Sequence, residues 1–166
     1  YNDFYKPNVV GTENILKACK AHQISKLIYT STPSVIHAGG DVEGINEAEP
    51  YPDHFETHYP ATKAMAEKMV LEANGPSLQT VALRPHLIWG PEDNHLVPRI
   101  VDRAKRGKLK LVGGGLKLID SVYIDNAAEA HILAGDKLSP EASCAGKAYF
   151  ITQDAPIPSH ELINGI

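Results

Sequence analysis

Tyr59 and Lys63 stand four residues apart in the stretch His58-Tyr59-Pro60-Ala61-Thr62-Lys63-Ala64-Met65-Ala66-Glu67-Lys68. A helix sets positions i and i+4 on one face. A lysine ammonium one turn from a phenol favours the phenolate, and a tyrosine so placed can exchange a proton with a substrate near neutral pH. A hydroxyl-rich segment, Tyr29-Thr30-Ser31-Thr32-Pro33-Ser34, lies about one βα unit upstream and could hold the substrate oxygen during that exchange. Spacing alone leaves a second reading open, an ordinary solvated helix face, because a chain with 7 tyrosines produces about 0.5 such pairs by chance.

Helical and strand patterns alternate around these residues. Asn8 to His22 reads as a helix with Val9, Thr12, Leu16 and Cys19 on one face. Gly11 inside it implies close packing against a sheet. Lys26 to Thr32 reads as a buried strand, and Pro33 to Pro52 as a long loop of the kind that forms lids or binding surfaces. A helix is expected from Thr57 to Ala73, ended by Asn74-Gly75-Pro76. Thr80 to Arg84 is the next strand, stopped by Pro85, and Trp89 to Asn94 is a loop leading into a helix from Leu96 to Arg106. Leu109 to Val112 reads as a strand before a Gly113-Gly114-Gly115 turn. Val122 to Ile124 is extended, Asp125 caps a helix reaching about Ala134, Ala148 to Ile151 is a strand, and Ser159 opens a last helix. This alternation predicts a parallel α/β sheet with right-handed crossovers. Active sites of such sheets lie beyond the carboxyl ends of the strands. Thr30 to Ser34 and Arg84 to Ile88 both fall at such ends.

Composition narrows the function classes. The 166 residues suffice for one domain with a real core, and 43% hydrophobic with 22% charged content is that of a globular protein. A net charge of −4 gives no support for nucleic-acid binding. No apolar run approaches the ~20 residues of a membrane-spanning helix. Cys19 and Cys144, far apart, argue against a disulfide framework and for a reducing, cytoplasmic setting. Tyr1 opens without an initiator Met and Asn164-Gly165-Ile166 follows closely on a helix-like start, so the sequence reads as an internal fragment.

Several segments together resemble the 3β-hydroxysteroid dehydrogenase branch of the extended short-chain dehydrogenases/reductases. These are Asn8-Val9-Val10-Gly11-Thr12-Glu13-Asn14-Ile15-Leu16, Tyr29 to Val35, Tyr59-Pro60-Ala61-Thr62-Lys63 with the following Ala66-Glu67, Leu83-Arg84-Pro85-His86-Leu87-Ile88-Trp89-Gly90-Pro91, and Val122-Tyr123-Ile124-Asp125-Asn126-Ala127-Ala128. The resemblance implies a Rossmann-like doubly wound sheet that binds NADP or NAD, incomplete at its N-terminus. Substrate-binding segments would be interleaved with it at about 86–118 and 148–166. It implies hydride transfer between the cofactor and a secondary alcohol or ketone on a 3-hydroxy/3-oxo substrate of the 2-alkyl-3-oxoalkanoate or 3β-hydroxysteroid type. The partner is thus a lipid-like or steroid-like small molecule, and the whole protein is expected to dimerise through its Asn8 and Tyr59 helices.

Roles implied by the resemblance follow residue by residue. Tyr59 is the general acid/base, and Lys63 supports it and binds the nicotinamide ribose. Thr32, three residues before Val35, holds the carbonyl oxygen, with Ser31 as the neighbouring alternative on the cofactor side. Asn8 lies near cofactor and lysine, Pro85 and His86 along the nicotinamide, and Ser34, His86 and Trp89 against substrate. The family's Gly-rich phosphate loop is absent from these residues, and on the order of 80 residues, two or three βα units of ~30, are expected upstream. A nucleotide-sugar epimerase or dehydratase and a non-catalytic cofactor-binding relative remain as alternatives. A dehydratase commonly has an acidic residue where Pro33 stands beside Thr32.

Other candidates read more simply as structural. His54 and His58 have helical i,i+4 spacing but no third ligand, so no metal site is expected. Arg84 is expected to tie its strand end to nearby carboxylates. Asp125-Asn126 caps a helix or makes a hydrogen bond in the substrate segment. Arg99, Arg103, Lys105, Arg106 and Lys108 form a basic stretch read as a solvated face, with an anionic carrier group as the alternative contact.

Overall fold

The computed structural model describes residues 1–166. In chain order the elements are α1 (Asn2–Tyr5), a π-helical turn (Lys6–Val10), α2 (Gly11–Ala21), β1 (Lys26–Thr30), a 3₁₀ turn (Pro33–Ile36), α3 (His58–Glu72), β2 (Gln79–Pro85), β3 (Leu87–Trp89), α4 (Leu96–Lys105), a second 3₁₀ turn (Val112–Gly115), β4 (Leu118–Ile119), β5 (Ser121–Tyr123), α5 (Ile124–Lys137), β6 (Lys147–Ile151), β7 (Ile157–Pro158) and α6 (Ser159–Gly165). Two compact units share them, Tyr1–Pro85 with Ala130–Phe150, and His86–Glu129 with Ile151–Ile166.

The first unit is organised by a sheet of order β1-β2-β6. β1 and β2 are parallel, from Lys26 opposite Gln79 to Thr30 opposite Leu83. β6 runs the same way, since the Gly146 amide donates to Thr80 O at one end (2.7 Å) and the His86 amide to Ile151 O at the other (3.0 Å). Every residue of β2 is buried, as expected of a parallel strand covered on both faces. Alternation along β1 sends side chains to opposite faces. On one face Lys26 Nζ donates to Gly135 O of α5 (2.7 Å), Thr30 Oγ1 meets His131 Nε2 (2.8 Å), and Ile28 lies under Gly135. On the other face Tyr29 meets the Lys63 ammonium of α3. Helices therefore clothe both faces of this strand, which is the doubly wound arrangement.

The core gathers Val35, Ile36 and Ala64, with Tyr51, Phe55 and Phe150 packed against them. Between α3 and β2 lies a buried ion pair. Arg84 Nη2 donates to Glu67 Oε1 (2.6 Å) and Arg84 Nε to Oε2 (3.1 Å), while Tyr51 Oη donates to Oε1 (2.6 Å). The rings of Tyr51 and Phe150 stand 5.8 and 5.5 Å from the guanidinium. Burial works against the Arg84 charge, and the carboxylate more than restores it, leaving its pKa raised. The carboxylate that Arg84 was expected to need is thus supplied by Glu67 of α3.

The second unit holds two strand pairs, β3 parallel to β5 and β4 antiparallel to β7. Asp93 takes up the opening amides of α4, accepting from His95, Leu96 and Val97 at 2.8, 3.1 and 2.7 Å, as an acidic side chain at a helix start should. Those bonds, Val97's foremost, hold its carboxyl below the usual range.

Six expectations need correction. Helical conformation begins at Asn2, before Asn8, and passes through a π turn that contains Pro7. Gly11 is not a close-packing site, since an added Cβ would meet only Lys6 O at 3.7 Å. β1 ends at Thr30, ahead of the turn that Thr32 caps, and its residues are half-buried or exposed. Leu109–Val112 is not a strand, while Leu87–Trp89, expected to lead into a loop at Trp89, is one. Asp125 does not cap α5, because Ile124 is already helical. Its neighbour Asn126 instead donates to Gln153 Oε1 (2.8 Å), which also accepts from the Tyr123 amide (3.1 Å).

Candidate active site

The carboxyl end of β1 is shaped by its own sequence. The Ser31 amide still bonds Leu83 O (2.6 Å), extending the β2 pairing one residue beyond the strand. Thr32 then turns the chain. Its Oγ1 accepts from the Ser34 amide (3.3 Å) and lies 2.7 Å from Ser34 Oγ, so it caps the 3₁₀ turn that Pro33 opens. Three hydroxyls, Ser31, Thr32 and Ser34, thereby cluster at one strand end. The Ser31 Oγ is buried and has no hydrogen-bond partner, an arrangement that costs free energy unless a group outside the chain completes it.

Helix α3 approaches the same strand end. Tyr59 lies in its first turn, exposed, with the Phe4 ring edge-on at 6.0 Å. One turn on, Lys63 Nζ donates to Thr30 O (2.7 Å) and sits 4.2 Å from the Tyr29 ring centre. One of three ammonium donors is used by that carbonyl. Burial lowers the Lys63 pKa, and the Glu67 carboxylate opposes it. Burial likewise pushes the Tyr29 phenol up to about 12. The Lys63 amine meets Tyr29 over the face of its ring, where an ammonium is attracted.

Asn8 joins the arrangement indirectly. Its Nδ2 donates to Thr62 Oγ1 (3.0 Å), and the single proton of that hydroxyl is shared between His58 O (2.9 Å) and Tyr59 O (3.1 Å) within α3. Asn8 thus ties the π turn to the helical turn that carries both Tyr59 and Lys63. Pro85, buried, ends β2 beside this strand end. The structure places Asn8, Ser31, Thr32, Ser34, Tyr59, Lys63 and Pro85 in the first unit, and His86 and Trp89 in the second. Burial lowers the His86 pKa, with Asp120 opposing. Trp89 stacks edge-on with Tyr123 at 5.2 Å.

Thr30 and Thr62 were not singled out from sequence. Thr30 works through its backbone carbonyl, which carries no sequence signal. Thr62 could have been found, because a threonine in mid-helix bonds back to a carbonyl one turn earlier.

Lys63 also makes a stability prediction. Its folded-state pKa is depressed below 10.5. Between that depressed value and 10.5 the unfolded chain binds more protons, so this residue makes stability rise with pH through that window. Lys63→Met should abolish that contribution. Urea midpoints of wild type minus variant should increase as pH rises toward 10.5; a flat difference would show that the ammonium pays no desolvation penalty.

The sequence profile of the 3-beta hydroxysteroid dehydrogenase/isomerase family matches residues 1–165. The chain is 55% identical over 166 residues to 2-alkyl-3-oxoalkanoate reductase of Stenotrophomonas maltophilia, covering 99% of this chain and 50% of that protein. It is 41% identical over 158 residues to the decarboxylating sterol-4-alpha-carboxylate 3-dehydrogenase of Mus musculus, covering 93% of this chain and 44% of that protein. Among solved structures, dTDP-glucose 4,6-dehydratase from Bacillus anthracis in complex with NAD aligns with a TM-score of 0.78 at 24% identity, over 98% of this chain and 51% of that one. RMD from Pseudomonas aeruginosa complexed with NADPH aligns with a TM-score of 0.76 at 22% identity, over 96% and 57%. These likenesses show a Rossmann-like α/β fold. The chain spans about half the length of the relatives it matches.

Proposed function

This chain belongs to the 3-beta hydroxysteroid dehydrogenase/isomerase family, and from that premise we propose that it carries the proton-transfer half of a nicotinamide-dependent oxidoreductase. The reaction interconverts a secondary alcohol and a ketone on a 3-hydroxy/3-oxo substrate of the 2-alkyl-3-oxoalkanoate or 3β-hydroxysteroid type. The observation that carries this reading is Lys63, drawn by Thr30 O to a strand end lined with hydroxyls and standing one helical turn from Tyr59.

The residues present fit the nicotinamide-ribose end of NADP or NAD. Ser31 offers a buried hydroxyl without a partner, and Lys63 retains donors for ribose hydroxyls. They do not fit the pyrophosphate, since neither run of consecutive glycines, Gly39–Gly40 or Gly113–Gly115, leads directly into a helix N-terminus. When bound, the cofactor supplies or accepts the hydride. In the reductive direction Thr32 holds the carbonyl oxygen and Tyr59 gives it the phenolic proton. The Lys63 ammonium favours the phenolate left behind, which regains its proton from solvent. Asn8, through Thr62, fixes the turn of α3 on which both residues ride. Pro85 and His86 flank the nicotinamide, and Ser34 and Trp89 contact substrate.

A nucleotide-sugar epimerase or dehydratase on the same fold is the second reading. Its dehydratase form is weakened by Pro33, which takes the place beside Thr32 where an acidic residue would serve dehydration. The whole protein is read as a cytoplasmic homodimer joined through α2 and α3, where Ile15 and Met65 are exposed; no helix is long and apolar enough to cross a membrane. The test is nicotinamide absorbance with the full-length protein, NADPH or NADH, and 2-alkyl-3-oxoalkanoates, 3-oxosteroids or UDP-sugars. Oxidation of the cofactor by a 3-oxo compound is the expected result. Conversion of a UDP-sugar without net absorbance change would replace this reading with the second.

A further inference from the structure

The stretch 86–118 of the second unit carries, away from His86 and Trp89, an exposed apolar surface. Around the second 3₁₀ turn, Leu111, Val112, Leu116 and Leu118 are 39, 87, 73 and 53% exposed. Side chains of this kind gathered in one short segment are an interaction signal that scattered exposed leucines are not. The segment is held in shape. Gly113, Gly114 and Gly115 all adopt left-handed φ of 57, 71 and 75°, a conformation that residues with a Cβ disfavour. Gly115 is packed so closely on His160 that an added Cβ would lie 2.6 Å from the histidine Cβ, and His160 Nδ1 meets Gly115 O at 2.9 Å. The turn is thus fastened to α6 at its base while Val112 and Leu116 project.

Charge surrounds this apolar tip. Lys105, Lys108, Lys110 and Lys117 are exposed, and the last turn of α4 adds Arg103. From Arg99 to Lys117 the chain holds seven of its 16 basic residues but one of its 20 acidic ones, Asp102, which pairs with Arg106 at 2.9 Å. The rest of the chain is correspondingly acidic. Apolar side chains that enter the headgroup boundary, ringed by lysines that stay in water beside anionic groups, match the surface of an anionic bilayer.

We propose that this turn, with the end of α4, is a peripheral docking surface for anionic lipid membranes. The occupant is a bilayer surface, because the exposed apolar tip calls for an apolar layer and the basic residues around it call for negative charge, and an anionic bilayer supplies both at one surface. The proposal stands apart from the oxidoreductase reading and requires no membrane-spanning helix.

The test is vesicle co-sedimentation of the full-length protein with neutral phosphatidylcholine vesicles and with vesicles containing about 30% phosphatidylserine. Binding to the anionic vesicles only, weakened by added salt, is expected. Val112→Ser with Leu116→Ser should weaken it about tenfold or more by removing the inserted groups. Lys108→Ser with Lys110→Ser should weaken it by a similar factor. All four positions are exposed, so thermal melts of the variants should match wild type. Absence of binding to anionic vesicles, or equal binding by wild type and both variants, would overturn the proposal. So would a concentration-dependent self-association abolished by Val112→Ser in the absence of lipid, which would assign the surface to a second copy.

Discussion

Glu67→Gln is expected to destabilise the protein by about 3–5 kcal/mol, roughly 10 °C in Tm for a chain of this size. The substitution keeps the side chain's volume and removes only its charge. Arg84 is then left with a buried guanidinium and no counter-ion, between the rings of Tyr51 and Phe150. One of its nitrogens, Nη1, already lacks a partner, so the Glu67 carboxylate is what makes its burial tolerable. The loss should exceed that of deleting both partners. Glu67→Met with Arg84→Met removes the desolvation penalty along with the attraction and should recover much of the stability. Thermal melts of the three proteins measure the coupling; additive losses would mean that the pair is not an electrostatic unit.

Tyr59→Phe should lower kcat about 10²-fold or more while leaving KM within a few-fold. At 1.36 kcal/mol per decade this is about 3 kcal/mol of the barrier. The change deletes one oxygen from an exposed side chain and keeps the ring that meets Phe4. Folding should therefore be untouched, and Tm should stay within about 2 °C, the range of a surface substitution. Steady-state kinetics with the full-length protein decide the matter. A variant retaining more than about a tenth of wild-type kcat would remove Tyr59 from the role of proton donor.

Much of the first unit was legible in the sequence, because its cues are local. The apolar runs of β1 and β2, the Pro60-containing start of α3 and the Asn74-Gly75-Pro76 stop each act over a few residues. The second unit was harder. Leu109–Val112 has strand-like residues, yet no partner strand lies beside it, and Lys110, Leu111 and Val112 end up exposed. Leu87–Trp89 sits between Pro85 and Gly90, which discourage a strand, and it becomes one only through pairing with Ser121–Tyr123. That pairing depends on residues more than thirty positions away. The candidate site shows the same division. Tyr59, Lys63 and Thr32 were visible as residue types at a spacing. The Thr30 carbonyl that anchors Lys63 and the Asn8–Thr62 bond that steadies α3 depend on how segments meet.

The bond from Asn8 Nδ2 to Thr62 Oγ1 joins segments 54 residues apart in the chain. Hydrogen exchange is where this shows: in Asn8→Ala the amides of the opening turns of α3 should exchange faster with solvent, while those of the buried strand β2 keep their protection.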